Sequence, residues 1–307
     1  MSDALTTITK LINSPPGQLA AGGVLAGIVW KFFERVEAVL TDQTKLEIAV
    51  WLVGRKPLGP KVEPWPDTFA KVFDRVFGKK HLSWRCFWRS CMASVASVFL
   101  VIVLVCLQNS RSNSILLKAG FGSGLQSIAP LLLINLVPDY LSLLETRCML
   151  RFVRGHSSVS VQLLAMSVDV AITFGIASVA ASFATLARIG GGLIQVALQS
   201  KSEHSISVIL AVLPALPKLF LTPQWIAFNI VVLGVLYIVP AFFTSIWLWL
   251  YAGSGFILKA ARRFDIGFEW FNRKFDIEKK PLQSIGLVAG ALVAVLYWAA
   301  VIVGRWV

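Results

Sequence analysis

Asp169 and Thr173 stand four residues apart, as do Asn135 and Asp139, and both pairs sit inside stretches that are otherwise almost wholly apolar. On a helix that spacing brings each pair onto one face. A carboxyl group in hydrocarbon costs on the order of 2.5 to 3.5 kcal/mol or more, so it must look at protein or water. It then marks an ion or proton path, a carrier site, or a buried cluster that glues helices together. Asp169 shares its face with Ala177, Ala180 and Ala181, and in the buried-cluster reading its partner would be, for example, Asn229 of a later apolar stretch. Asp139 follows Pro138, which disturbs a helix locally. Asp169, Thr173, Asn135, Asp139 and Asn229 are the candidate intramembrane polar residues.

Catalytic and metal chemistry lack a comparable pattern. His81, His156 and His204 are scattered without a second ligand at helical spacing. Cys86, Cys91, Cys106 and Cys148 form no Cys-x-x-Cys pair, and structural disulfides are not expected. The glycine patches at 120–124 and 253–255 lack the lysine and the strand-to-helix setting of a phosphate-cradling loop. No catalytic residue, metal or cofactor is expected, and the chain does not read as an enzyme.

The elements that must position the polar groups are five apolar stretches, at residues 87–107, 125–144, 159–187, 225–251 and 284–303. Each reaches the roughly 20 residues that cross a ~30 Å hydrocarbon core. The expected fold is all-α, a polytopic membrane protein with about five transmembrane helices. Residues 1–82 form a small helical cytoplasmic or interfacial region, and 83–307 the transmembrane domain. Residues 188–223 are apolar but interrupted at Gly190–Gly192, Pro214 and Pro217. They read as a re-entrant segment lining a water path or as an external hairpin on the lipid surface. Residues 19–30 are apolar, short and glycine-rich, and read as an interfacial or oligomer-packed helix.

Basic residues set the orientation, because Lys and Arg beside membrane spans stay on the cytoplasmic side. The segment leading into the first span, through Arg89, carries 13 of the 29, residues 145–158 carry three, and residues 252–281 carry seven. The intervening segments are sparse. The pattern places the N-terminus in the cytoplasm and the C-terminus outside, in the inner (plasma) membrane, and a crossing by residues 19–30 would reverse it. Most of the net charge of +13 is this orientation signal together with attraction to anionic lipid.

The cytoplasmic region divides into helical pieces at 31–40, 44–53 and 67–77, the second capped by Thr41 or Asp42. The third places Phe69, Val72, Phe73, Val76 and Phe77 on one face. Phe271 and Phe275 echo it within a cytoplasmic juxtamembrane helix at 256–281. The two phenyl faces either lie in the headgroup plane or pack together as a collar that pulls on the first and fifth spans. Small residues at Gly286, Gly290, Ala291 and Ala294 offer a smooth face for close helix approach.

Arg55, Lys56, Lys61, Trp65, Lys79, Lys80 and Trp84 form a basic and aromatic group on the cytoplasmic side. Such a group suits stacking on bases and contact with phosphates. In overall plan, a basic cytoplasmic portion on a small multi-span module, the chain resembles the membrane ion-channel effectors of bacterial anti-phage defence systems. The resemblance is one of architecture, and it implies a homo-oligomeric channel gated by its cytoplasmic helices through a nucleotide, a single-stranded oligonucleotide or a protein partner. A solute or proton transporter using Asp169, and a non-conducting scaffold on the lipid bilayer, are the alternatives.

Overall fold

The computed structural model describes residues 14–53, 65–108, 125–156, 158–200, 240–264 and 267–306. The regular elements among them are all α-helices. In chain order they are α1 (Pro15–Ala38), α2 (Asp42–Val53), α3 (Trp65–Phe77), α4 (Trp84–Gln108), α5 (Leu125–Arg154), α6 (Val159–Ser200), α7 (Phe243–Arg263), α8 (Phe268–Phe275) and α9 (Pro281–Trp306). Two stretches, Val159–Ala180 in α6 and Pro281–Val303 in α9, are long and apolar enough to cross a membrane. Large apolar side chains face outward on α4, α5, α6 and α9, among them Phe99, Val137, Leu164 and Leu296. An exposed apolar belt of this extent marks a lipid or protein contact.

The N-terminal apolar stretch is part of one 24-residue helix. Ser14 caps it, accepting a hydrogen bond from the Gly17 amide at 3.2 Å, and Pro15 occupies the first turn, where its missing N–H costs nothing. α1 runs antiparallel along the whole of α9. At one end the Tyr297 hydroxyl donates to Gln18 Oε1, and at the other the Gln283 amide donates to Glu37 Oε2 at 2.6 Å. Between them a Cβ at Gly290 would stand 2.6 Å from the Ala26 carbonyl oxygen, so the helices touch backbone to backbone. The small-residue face of α9 is thus covered by α1 of the same chain.

Three boundaries differ from expectation. α6 does not stop at Gly190–Gly192 but continues to Ser200, so the expected re-entrant segment loses its first thirteen residues, 188–200, to helix; residues 201–223 lie outside the described residues. A glycine costs only about 1 kcal/mol in a helix interior, which a 42-residue helix absorbs. α5 runs uninterrupted past Pro138 and ends at Arg154, ten residues beyond the expected span end at 144. Asp139 therefore lies about 22 Å from the helix end. The expected helix at 256–281 is instead the last turns of α7, a break at Gly267, whose φ is 64°, and the short α8.

The amphipathic α3 packs into protein rather than onto a headgroup plane. Phe69, Val72, Phe73 and Phe77 are at most 1 % exposed. Their rings meet Trp247 and Tyr251 of α7 at centroid distances of 4.9 to 6.2 Å. Trp51 of α2 stacks on the same Tyr251, 5.7 Å away, and Thr68 and Tyr251 share a hydrogen bond of 3.0 Å. Fully burying an aromatic side chain contributes about 1.5 to 3 kcal/mol, so this layer binds α2 and α3 firmly to α7. α8 packs on α7, with Trp270 exposed.

Candidate functional site

The buried polar side chains fall into stripes. On α5, Asn135, Asp139, Ser142 and Thr146 occupy one face at spacings of four, three and four, and none is more than 8 % exposed. Ser90, Ser94 and Ser97 repeat the spacing on α4, and Asp169 and Thr173 on α6. Thr244 and Ser245 stand in the first turn of α7. Four helices that are apolar outside turn hydroxyls and carboxyls toward one another.

A continuous hydroxyl network joins α5, α6 and α7. Ser142 Oγ donates to the Ala241 carbonyl at 2.8 Å and lies 3.1 Å from Thr244 Oγ1, to which Thr146 also donates at 3.2 Å. Thr173 lies 3.4 Å from Ser142 and 3.1 Å from Ser245, and its hydroxyl reaches Glu145 Oε2 at 3.5 Å. Glu145 and Asp169 meet at hydrogen-bonding range. Asp169 is wholly buried, and neither of its oxygens has a hydrogen-bond partner among the hydroxyls. Two carboxyls so placed repel unless a positive charge, as a proton or a cation, lies between them. The first turn of α7, whose N-cap Phe242 supplies no side-chain cap, adds the positive end of a 21-residue helix dipole to this corner.

On the other side of Ser142 and Thr244, Asp139 borders a small cavity of about 10 Å³ lined also by Ser90, Ser94 and Ser97. Phe77, the last residue of α3, closes one wall of it. α3 is in turn held by arginines from the helices that carry the polar stripes. Arg89 of α4 donates to the Arg75 and Val76 carbonyls at 2.9 and 2.8 Å. Arg147 of α5, 7 % exposed, donates to the Gly78 and Lys79 carbonyls and lies 3.6 Å from Asp74. Gly78, at φ 90°, supplies the left-handed residue that ends α3 and turns these carbonyls outward, where cations complement the helix dipole. Burial pushes the Asp74 carboxyl above its ordinary range, and the Arg147 guanidinium opposes that shift.

Of the residues singled out from the sequence, Asp169 and Thr173 join one cluster, Asp139 lines the adjoining cavity, and Asn135 lies buried on the same α5 face. Asn229 lies outside the described residues, as do Arg55, Lys56 and Lys61. Trp65 is not open for stacking. It is 4 % exposed, its indole N–H donates to Gln162 at 2.7 Å, and Phe256 packs edge-on against it. Lys79, Lys80 and Trp84 are exposed, Trp84 at 70 % and stacked with Phe87.

Glu145, Arg147 and the hydroxyls other than Thr173 escaped the sequence reading. Glu145 and Arg147 look like loop charges when the second span is ended at 144, and serines pass unnoticed as small residues. The repeat of polar residues at 135, 139, 142 and 146 was the available signal. Comparison of the chain with known protein families, characterised proteins and solved structures finds no match.

Proposed function

We propose that this chain is a multi-pass membrane protein of the plasma membrane that passes small cations along its buried polar tract, under the control of its cytoplasmic helices. The observation that carries the reading is the position of Phe77: the last residue of the clamped helix α3 is also a wall of the cavity beside Asp139. Moving α3 away from α4 and α5 would open that wall toward the basic face of the protein. Four helices with apolar exteriors and facing hydroxyl stripes support the same reading, since polar groups at membrane depth face the bundle interior and mark ion or proton pathways.

Because α1 lies along the full length of α9, it counts as a sixth crossing. It precedes the basic segments, so its crossing moves only the residues before Ser14 to the outside and leaves residues 39–86, 145–158 and 252–281 cytoplasmic. The sidedness of the bundle is not reversed. Lys79, Lys80 and Trp84, exposed at the end of α3, are where an anionic ligand such as a nucleotide or single strand, or a protein partner, would act on the clamp. Assembly into a homo-oligomer would use a face other than Gly286 and Gly290, which α1 occupies.

The test is cation flux in lipid vesicles containing the purified protein. Phe77→Ala should raise basal flux and Asp169→Asn should change or abolish it. Absence of flux for parent and Phe77→Ala alike would refute the reading. The meeting of Glu145 and Asp169 supports a second reading, a carrier in which this pair exchanges a proton. A pH gradient alone would then drive solute uptake, with no conductance.

A further inference from the structure

We propose that the cavity beside Asp139 is a binding site for one dehydrated small monovalent cation such as sodium. The inference rests on the cation-permeation reading and names its occupant. The cavity of about 10 Å³ holds about one water-sized sphere, enough for a bare sodium ion and too little for a hydrated one. Its polar wall consists of oxygens: the Asp139 carboxylate and the hydroxyls of Ser90, Ser94, Ser97 and Thr244. Oxygen donors suit hard cations.

Asp139 is 8 % exposed, and the Ser94 hydroxyl beside it is its one hydrogen-bonding neighbour, too loosely placed to satisfy both carboxyl oxygens. A buried carboxyl left in this way is costly unless something positive completes it. The same wall has a single acidic group, so one monovalent ion balances the charge, whereas a divalent ion would leave one positive charge in a low-dielectric interior. Most of the remaining lining is apolar, Phe77, Ala93, Leu143 and Phe243 among it, and offers no partners to a hydration shell. The hydroxyl pair Ser142 and Thr244 then connects this site to the Glu145 and Asp169 corner, a second place where positive charge is required.

The probe is sodium itself. Purified protein in neutral detergent, at constant ionic strength set with choline chloride, is titrated with sodium, lithium and potassium chloride while radioactive sodium uptake and the unfolding temperature are followed. The expected result is saturable binding of one sodium per chain at this site and a rise in unfolding temperature that follows the same curve, with choline giving neither. Asp139→Asn should remove both effects. Ser94→Ala and Ser97→Ala should each weaken sodium binding severalfold, and these two variants carry the test should Asp139→Asn fail to fold. Asp169→Asn should leave the Asp139 site saturable. No difference between sodium and choline in the parent, or unchanged sodium binding in the Asp139 and serine variants, overturns the proposal. Flux without sodium binding would refute this inference and leave the permeation reading standing. Binding without flux would do the reverse.

Discussion

Arg154 Nε lies 3.1 Å from the Asp67 carboxylate, and seven residues along each helix Arg147 stands 3.6 Å from Asp74. Because α3 and α5 run antiparallel, one heptad on each brings the second pair into register with the first. Arg147 is the buried member. It holds the end of α3 by two carbonyls as well as by charge, and its guanidinium lies 5.5 Å from the Phe73 ring. The position of Phe77 is therefore set from α5, the helix that carries Asp139.

Removing that hold should be costly. Arg147→Gln leaves the Gly78 and Lys79 carbonyls and Asp74 without their buried donor, and a loss of about 3 kcal/mol is expected. Asp74→Asn should cost far less, because burial already disfavours the ionised carboxyl. Thermal unfolding of the two variants in detergent checks the ranking. Equal losses would mean that the ion pair, rather than the carbonyl contacts, holds α3.

Acid should loosen the same junction. His81 stacks on Tyr140 at 4.5 Å, and its carbonyl accepts the Tyr140 hydroxyl at 2.5 Å. Burial first, then Arg147 and Arg151, hold the His81 imidazole below its ordinary value. The folded state thus resists protonation that the unfolded chain accepts. The stability this contributes is complete above about pH 6.5 and falls as the pH drops below it. His81→Gln should flatten the pH dependence of the unfolding temperature between about pH 5 and 6.5, and an unchanged slope would assign it elsewhere.

Sidedness can be read from accessibility. Cysteines introduced before Ser14 and after Trp306 should react with an impermeant reagent from outside, and one at Lys274 only after the membrane is opened. A residue near the start of the chain that reacts from the inside while Trp306 reacts from the outside would contradict the pairing of α1 with α9.

That pairing has its own test. Gln18→Cys with Tyr297→Cys should be joined within one chain by a short thiol-reactive crosslinker that spans the length of the two replaced side chains, and Gly290→Leu should abolish the link, because the larger side chain would meet the Ala26 carbonyl. Crosslinked dimers in place of internally closed monomers would show α1 exchanged between two chains.

For the carboxyl pair, single neutralisation should be tolerated better than expected from burial alone. Asp169→Asn lets the amide donate to Glu145, replacing the positive charge the pair requires. Asp169→Leu offers no donor and should destabilise by about 2 kcal/mol more, measured by unfolding.

Helix periodicity carried the all-α fold, and the apolar runs carried α4 and α9 to within three residues at each end, and α6 at its start but not at its end. Asp169 with Thr173, and Asp139 with Asn135, were legible because charge in an apolar run is conspicuous. Glu145 was not, because it lies just past an apolar run and becomes interior only where α5 continues to Arg154. The phenyl face of α3 was visible as a face, but periodicity does not say whether protein or lipid covers it. Trp247 and Tyr251, distant in sequence, decide that. The role of α1 was equally hidden, since its partner Gly290 gives no signal about which helix will approach.

Gln18 and Tyr297 are 279 residues apart in the chain. At roughly 5 to 20 residues per second, a ribosome needs on the order of 15 to 60 seconds to deliver the second after the first. For that interval α1 waits without the α9 groups that meet Phe33 and Glu37. The order of synthesis thus sets a checkpoint: any chain cut short before Gln283 leaves α1 without its partner.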